Sequence, residues 1–269
     1  MAVEQLKKVL LFVCAIFFIG GEEAKGQTVS DEGRGIMKKA MDRVYSLEDQ
    51  TADIIFTLQD DGGKQVKTEL SFYWKNYRAD PKLQSKTLLI TTFPPTEKGE
   101  SFLLWENKNP DDSEFWMYFP SLRQTRKIQR LSPEDGLRES DLLFEDMTRM
   151  QFDQTQFIIM KEGTLKGELC FIIQTTFSHP SPYGKKVFWI SKKRGLILKI
   201  DYFSSSNQLL KSQNIQWQKI KEVPVWKGSR IKNQQTKRTT TIELKNIKIN
   251  SGLPERIFTQ RNLERGLTR

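Results

Sequence analysis

FWMYFPSLRQTRKI, Phe115–Ile128, sets five bulky apolar residues in a row before a Pro-Ser pair, then turns basic. A strand with one face in water alternates apolar and polar residues. Here alternation puts Trp116 and Tyr118 on one face and Phe115, Met117 and Phe119 on the other. Both faces are apolar, so each needs a cover.

Similar runs lie on either side. ADIIFTLQ (52–59) leads into DDGG, a strong hairpin signal. In KQVKTELSFYW (64–74), Val66, Leu70, Phe72 and Trp74 share one face while Lys67, Glu69 and Ser71 share the other. KTLLITTF, SFLLWENK, TQFIIMK, LCFIIQTTF, KKVFWIS, LILKIDYF, LLKSQNIQWQKIK, VPVWKGSRIKN and TTTIELKNIKI also read as strands. EGTLKG, KKRG, SSSNQ and QQTKR supply turns of hairpin length, so neighbouring strands are expected to be antiparallel. SPEDGLRESDLLFEDM (132–147) interrupts the series and predicts a loop with a short helix.

One longer helix is expected near the start. Ser30 or Asp31 can cap it, and Ile36, Met37, Ala40, Met41, Val44 and Tyr45 form an apolar stripe at three- and four-residue spacing. The fold class that results is mainly β with helices. It is a single domain built on a curved antiparallel sheet, an open half-barrel, with helices covering the concave face.

The first 26 residues read as a cleaved signal peptide, with an uncleaved anchor as the alternative. MAVEQLKK is a basic n-region, and VLLFVCAIFFIGG is an apolar run too short for a membrane span. Ala24 and Gly26 are small residues two apart, which places cleavage before Gln27 and leaves 27–269 as the folded domain. Cys170 is then the one remaining cysteine, so no disulfide framework is expected although the compartment is oxidising.

The 269-residue chain is 37% hydrophobic and 28% charged, within the globular range. Its net charge of +10 favours acidic partners. Nucleic acid is not expected among them. The leader directs the chain away from it, and alternation splits Arg123 and Lys127 from Arg126 and Arg130, so no single basic stripe forms. No phosphate loop, CxxC, HExxH or G-x-S-x-G is present, and the one histidine, His179, lies in a loop. No enzyme, no cofactor and no metal site is expected.

Three stretches resemble the outer-membrane lipoprotein-sorting (LolA-like) family of bacterial periplasms. SFLLWENKNPDDSEFWMYFPSLRQTRKI matches its apolar strand, its W-x-Y strand ending in Pro-Ser and its Arg- and Lys-bearing strand. ESDLLFEDM resembles the family's GSDFT-x-[DE]-D-L segment: Ser140, Asp141, Glu145 and Asp146 match, while Glu139, Leu142 and Leu143 depart. In GLPERIFTQRNLER, Phe258, Thr259, Asn262 and Leu263 match the family's ending. The resemblance implies a periplasmic carrier that holds acyl chains of lipoproteins or lipids, with an inner-membrane exporter and an outer-membrane acceptor as partners. The alternative is a structural or adaptor subunit of an envelope lipid-export complex.

Period-two phase selects the candidate cavity wall. It comprises Phe56 and Leu58; Leu70, Phe72 and Trp74; Leu198, Ile200 and Tyr202; and Ile242 and Leu244. Trp116 and Tyr118 join them on the strength of the opening motif, although phase does not choose their face. Met37, Met41 and Val44 are expected to pack over the concave side as a movable lid helix.

Overall fold

The computed structural model describes residues 22–129, 132–137 and 140–265. The first 21 residues of the expected leader lie outside them. Helix α1 (Glu22–Val44) precedes six strands: β1 (Asp49–Gln59), β2 (Gln65–Asn76), β3 (Leu83–Phe93), β4 (Ser101–Asn107), β5 (Glu114–Phe119) and β6 (Gln124–Ile128). An insertion carrying α2 (Phe144–Met147) follows. Then come β7 (Thr155–Leu165), β8 (Glu168–Phe177), β9 (Lys185–Ser191), β10 (Ile197–Phe203), β11 (Leu209–Ile220), β12 (Val223–Asn233) and β13 (Thr239–Ile249). A 3₁₀ turn at Glu255–Phe258 and helix α3 (Gln260–Arg265) end the described chain.

All thirteen strands form one antiparallel sheet in the order β6-β5-β4-β3-β2-β1-β13-β12-β11-β10-β9-β8-β7. Each half is a simple meander, and β1 with β13 joins the halves. Strands β6 and β7 are consecutive in the chain yet form the two opposite edges, so the sheet is open.

Two neighbouring side chains show how strongly the sheet curls. The Phe144 ring meets Phe115 on β5 at 5.1 Å, while Glu145 reaches Lys186 on β9 at 2.7 Å. Those strands are nine steps apart in the sheet order, about 43 Å if it were flat. Consecutive Cα atoms are only about 3.8 Å apart. The face that α2 touches is therefore concave.

The register sorts the apolar residues onto two faces. On the concave face, Ile54 lies opposite both Leu70 and Leu244, and Phe56 opposite Ile242. Helix α1 packs on the same face near β7: Met37 and Ala40 are fully buried with Phe157, Ile173, Phe188, Ile190 and Ile197. On the convex face, Leu88, Leu103 and Trp116 are aligned across β3, β4 and β5. Phe258 and Leu263 cover them.

Cover therefore comes to both faces of β5: the insertion brings Phe144 to Phe115, and the C-terminal segment shields Trp116. That segment is anchored by the buried Asp49, whose carboxylate accepts hydrogen bonds from the backbone N–H of Ser251, Gly252 and Leu253 and from the Ser251 hydroxyl.

Two local expectations are corrected. Helix α1 begins at Glu22, upstream of the caps expected at Ser30 or Asp31. EGTL belongs to β7 rather than to a turn, because the reversal needs only Lys166 and Gly167, both with positive φ.

Candidate functional site in the concave face

The floor of the concavity is apolar. Ala52, Ile54, Phe56, Leu70, Ile231, Ile242 and Leu244 form one buried cluster, and Leu142 of the insertion is its cover. Leu137 and Phe72 pack at its margin.

Beside this floor lies a charged cluster. Lys211 on β11 donates to Asp146 Oδ2 at 2.6 Å and to the Asp141 carbonyl at 2.6 Å. Lys186 on β9 pairs with Glu145 at 2.7 Å and lies 3.7 Å from Asp146 Oδ1, a charge contact too long for a hydrogen bond. Asp146 also accepts from the Tyr183 hydroxyl and from the Leu143 backbone N–H, each at 3.0 Å. Both ammonium groups face the rings of Tyr183 and Tyr202, at 4.7–5.6 Å from the centroids.

Nearby, Asp141 accepts from Thr240 at 2.7 Å, Asn233 at 2.8 Å and Arg238 at 3.3 Å. The Asp146 side chain is fully buried and that of Lys211 is 6% exposed.

Burial dominates the electrostatics here. It lowers the Lys211 pKa even though Asp146 pulls the other way. Burial, followed by the Asp146 charge, raises the pKa of Tyr183 and of Tyr202, so both phenols stay neutral. Tyr183 is then a donor to Asp146 and Tyr202 a donor to Gln213 at 2.6 Å.

Three buried polar atoms of the cluster, Glu145 Oε2, Asp146 Oδ1 and Arg238 Nε, have no hydrogen-bond partner within the protein. A buried ion pair recovers its desolvation cost only when its geometry and remaining hydrogen bonds are good. These contacts hold the insertion to the sheet. Among the described residues no group of three His, Cys, Asp or Glu is placed to hold a metal ion.

A second anchor lies at the other end of the insertion. Arg149 stacks on Tyr45 at 4.0 Å and donates to Asn76 at 3.2 Å. Burial lowers the Arg149 pKa, and burial with the Glu106 charge raises that of Tyr45 to about 12.

The register places most of the expected wall on the concave face. Phe56, Leu58, Leu70, Phe72 and Trp74 share that phase with Ile200, Tyr202, Ile242 and Leu244. Trp74 reaches the end of α1 through Tyr45 at 6.5 Å.

Three expected residues lie elsewhere. Trp116 and Tyr118 are on the convex face, where the C-terminal segment covers them. Leu198 packs with Cys170 and Leu196 against Trp189 in a separate cluster, because a bulge between Ile197 and Lys199 breaks its phase with Ile200.

Of the lid-helix residues, Met37 and Met41 pack into the concave cluster, and Val44 is half-buried. Sequence reasoning missed Lys186, Lys211 and Tyr183. The available signal was phase: Lys186 alternates with Phe188 and Ile190, two core residues.

Residues 83–265 match a family model described as "-like: Uncharacterized protein". The chain belongs to that family. Its fold is LolA-like. A DUF1329 family protein from Desulfovibrio piger superposes with a TM-score of 0.78 at 22% identity, covering 87% of this chain and 99% of that one. A domain provisionally named an outer membrane lipoprotein-sorting protein, from Vibrio parahaemolyticus, gives 0.78 at 20% identity over the same shares. A LolA superfamily protein from Nitrosomonas europaea gives 0.65 at 15% identity, covering 85% and 98%. No curated protein matches the sequence significantly. Among the described residues of this LolA-like chain, no helix is long and apolar enough to cross a membrane.

Proposed function

We propose that the chain is a periplasmic carrier, exported by a leader cleaved near Gly26, that holds acyl chains of lipoproteins or lipids against the concave face. The observation that supports this most is the kind of cover the floor has. Its central apolar cluster is closed by Leu142, on an irregular segment tethered to the sheet by the charged side chains of Glu145 and Asp146. An acyl chain offers no hydrogen bonds, so apolar area must hold it, at roughly 0.8 kcal/mol per buried methylene. In this reading the tail takes the place of Leu142 and its neighbours, and Met37 and Met41 of α1 repack beside it. An inner-membrane donor and an outer-membrane acceptor are the partners such a carrier needs.

The test is organic extraction of the protein isolated from a bacterial envelope, followed by mass spectrometry. Stoichiometric acyl species are expected.

A second reading is a non-carrying adaptor of an envelope complex. It is favoured by the near-complete burial of Leu70, Ile231 and Ile242 under the insertion, as in a finished core. Extracts free of acyl species, with no binding of added fatty-acyl probes, would favour the adaptor.

A further inference from the structure

The sheet is continuous in order but not in pairing. Strand β12 pairs with β11 from end to end apart from one bulged residue, Lys227, and β13 pairs with β1 from end to end apart from Asn246 and Ile247. Between β12 and β13, however, the ladder runs only from Gly228↔Glu243 to Lys232↔Thr239. Beyond Gly228 the two strands diverge: Lys227 is the unpaired residue of a bulge, Val223–Trp226 stays with β11, and Leu244, Lys245, Lys248 and Ile249 stay with β1.

Gly228 marks the fork because only glycine allows this approach. A Cβ there would meet the Ile242 carbonyl oxygen at 2.2 Å. A cleft of about 340 Å³ opens at this point. Lys227, Glu243 and Lys245 line it on the solvent side, and Ser229, Ile242 and Leu244 line it toward the concave face. Both lysines are exposed, and neither has an ion-pair partner among the described residues. Trp226 flanks the fork. Its ring packs against the Ile242 and Leu244 cluster, and its indole N–H donates to the Gly228 carbonyl at 2.8 Å.

We propose that this fork admits the tail of an anionic amphiphile to the concave floor, with Lys227 and Lys245 receiving its carboxylate or phosphate. The inference rests on the acyl-carrier reading and adds to it a route and a headgroup preference. The chemistry commits the occupant. Among the lining residues two cations, Lys227 and Lys245, stand against one acid, Glu243, with Asp53 of β1 opposite Lys245, and two residues of the apolar floor, Ile242 and Leu244, also line the cleft. A single acyl chain with one negative end matches that polarity from outside to inside.

The test uses a tail-brominated fatty acid and its methyl ester, read by tryptophan quenching, on the full mature protein. Wild type is expected to bind the acid more tightly than the ester. Trp226→Phe should remove most of the quenching, with its affinity for the acid measured separately by calorimetry. Lys227→Glu/Lys245→Glu changes two exposed residues, and circular dichroism checks its fold. It should weaken the acid by about five- to tenfold and leave the ester unchanged. Undiminished quenching in Trp226→Phe, with equal acid affinity in the charge-reversed variant, would place the tail elsewhere; it would overturn the fork and leave the carrier intact. Failure of wild type to bind either probe would overturn the carrier reading along with it. So would binding of an extended peptide along the free edge of β13 with neither fatty probe accepted.

Discussion

Asp146 of the insertion and Lys211 of β11 meet at 2.6 Å with both side chains buried, and this pair ties an irregular segment to the middle of a sheet half. Removing one partner strands the other charge in a low-dielectric site. Lys211→Met should therefore lower unfolding free energy by about 3 kcal/mol. Adding Asp146→Leu should return part of that loss, because no buried charge then lacks its main partner. A denaturant double-mutant cycle measures the coupling. Additive losses would mean that the pair is not a tether.

Leu142 separates the carrier from the adaptor. It is 6% exposed within the concave cluster, so Leu142→Ala should cost about 2–3 kcal/mol in stability. In a carrier the same change weakens the cover that competes with ligand, and affinity for a fluorescent fatty-acyl probe should rise. An adaptor would lose stability and gain no binding.

Trp116 gives the converse control. It is 3% exposed on the convex face and edge-on to Trp105 at 4.9 Å. Trp116→Ala should cost about 3–5 kcal/mol, as in a closed core, while acyl-probe affinity stays unchanged. A large affinity change would put the ligand on the convex side.

The C-terminal cover should release in acid. Burial alone would raise the Glu255 pKa, but hydrogen bonds from Lys75, Tyr77 and Lys86 outweigh it and hold the group at about 2. Burial likewise opposes the hydrogen bonds from Ser251, Leu253 and Gly252 that lower the Asp49 pKa. A carboxylate with a depressed folded pKa stabilises above its unfolded value, about 4 for these side chains, and loses that contribution as pH falls toward its folded one. Hydrogen exchange of residues 250–264 should thus quicken between about pH 4.5 and pH 2. Glu255→Gln should remove part of that dependence.

How much of this was legible depended on which residues were asked. Leu70, Phe72, Ile242 and Leu244 fell on the concave face as expected, because unbroken alternation fixes a face once the register is set. Trp116 lies in a strand apolar on both sides, where phase cannot choose, and the Phe258 segment that covers it is more than a hundred residues away. Leu198 was misplaced by one bulged residue, which reads normally in a sequence. Resemblance singled out Asp141, Glu145 and Asp146, but their lysines lie on strands 40 to 70 residues downstream and follow no local pattern. Such pairings are set by sheet curvature, which strand periodicity does not encode.

The central claim is that acyl chains occupy the concave floor. A photoactivatable fatty-acyl probe, cross-linked and mapped by peptide mass spectrometry, tests it most directly. Labels should fall on Leu142 and on floor residues such as Phe56, Leu70, Ile242 and Leu244. Labelling confined to the convex cluster around Trp116, or no labelling at any probe concentration below its micelle threshold, would contradict the account.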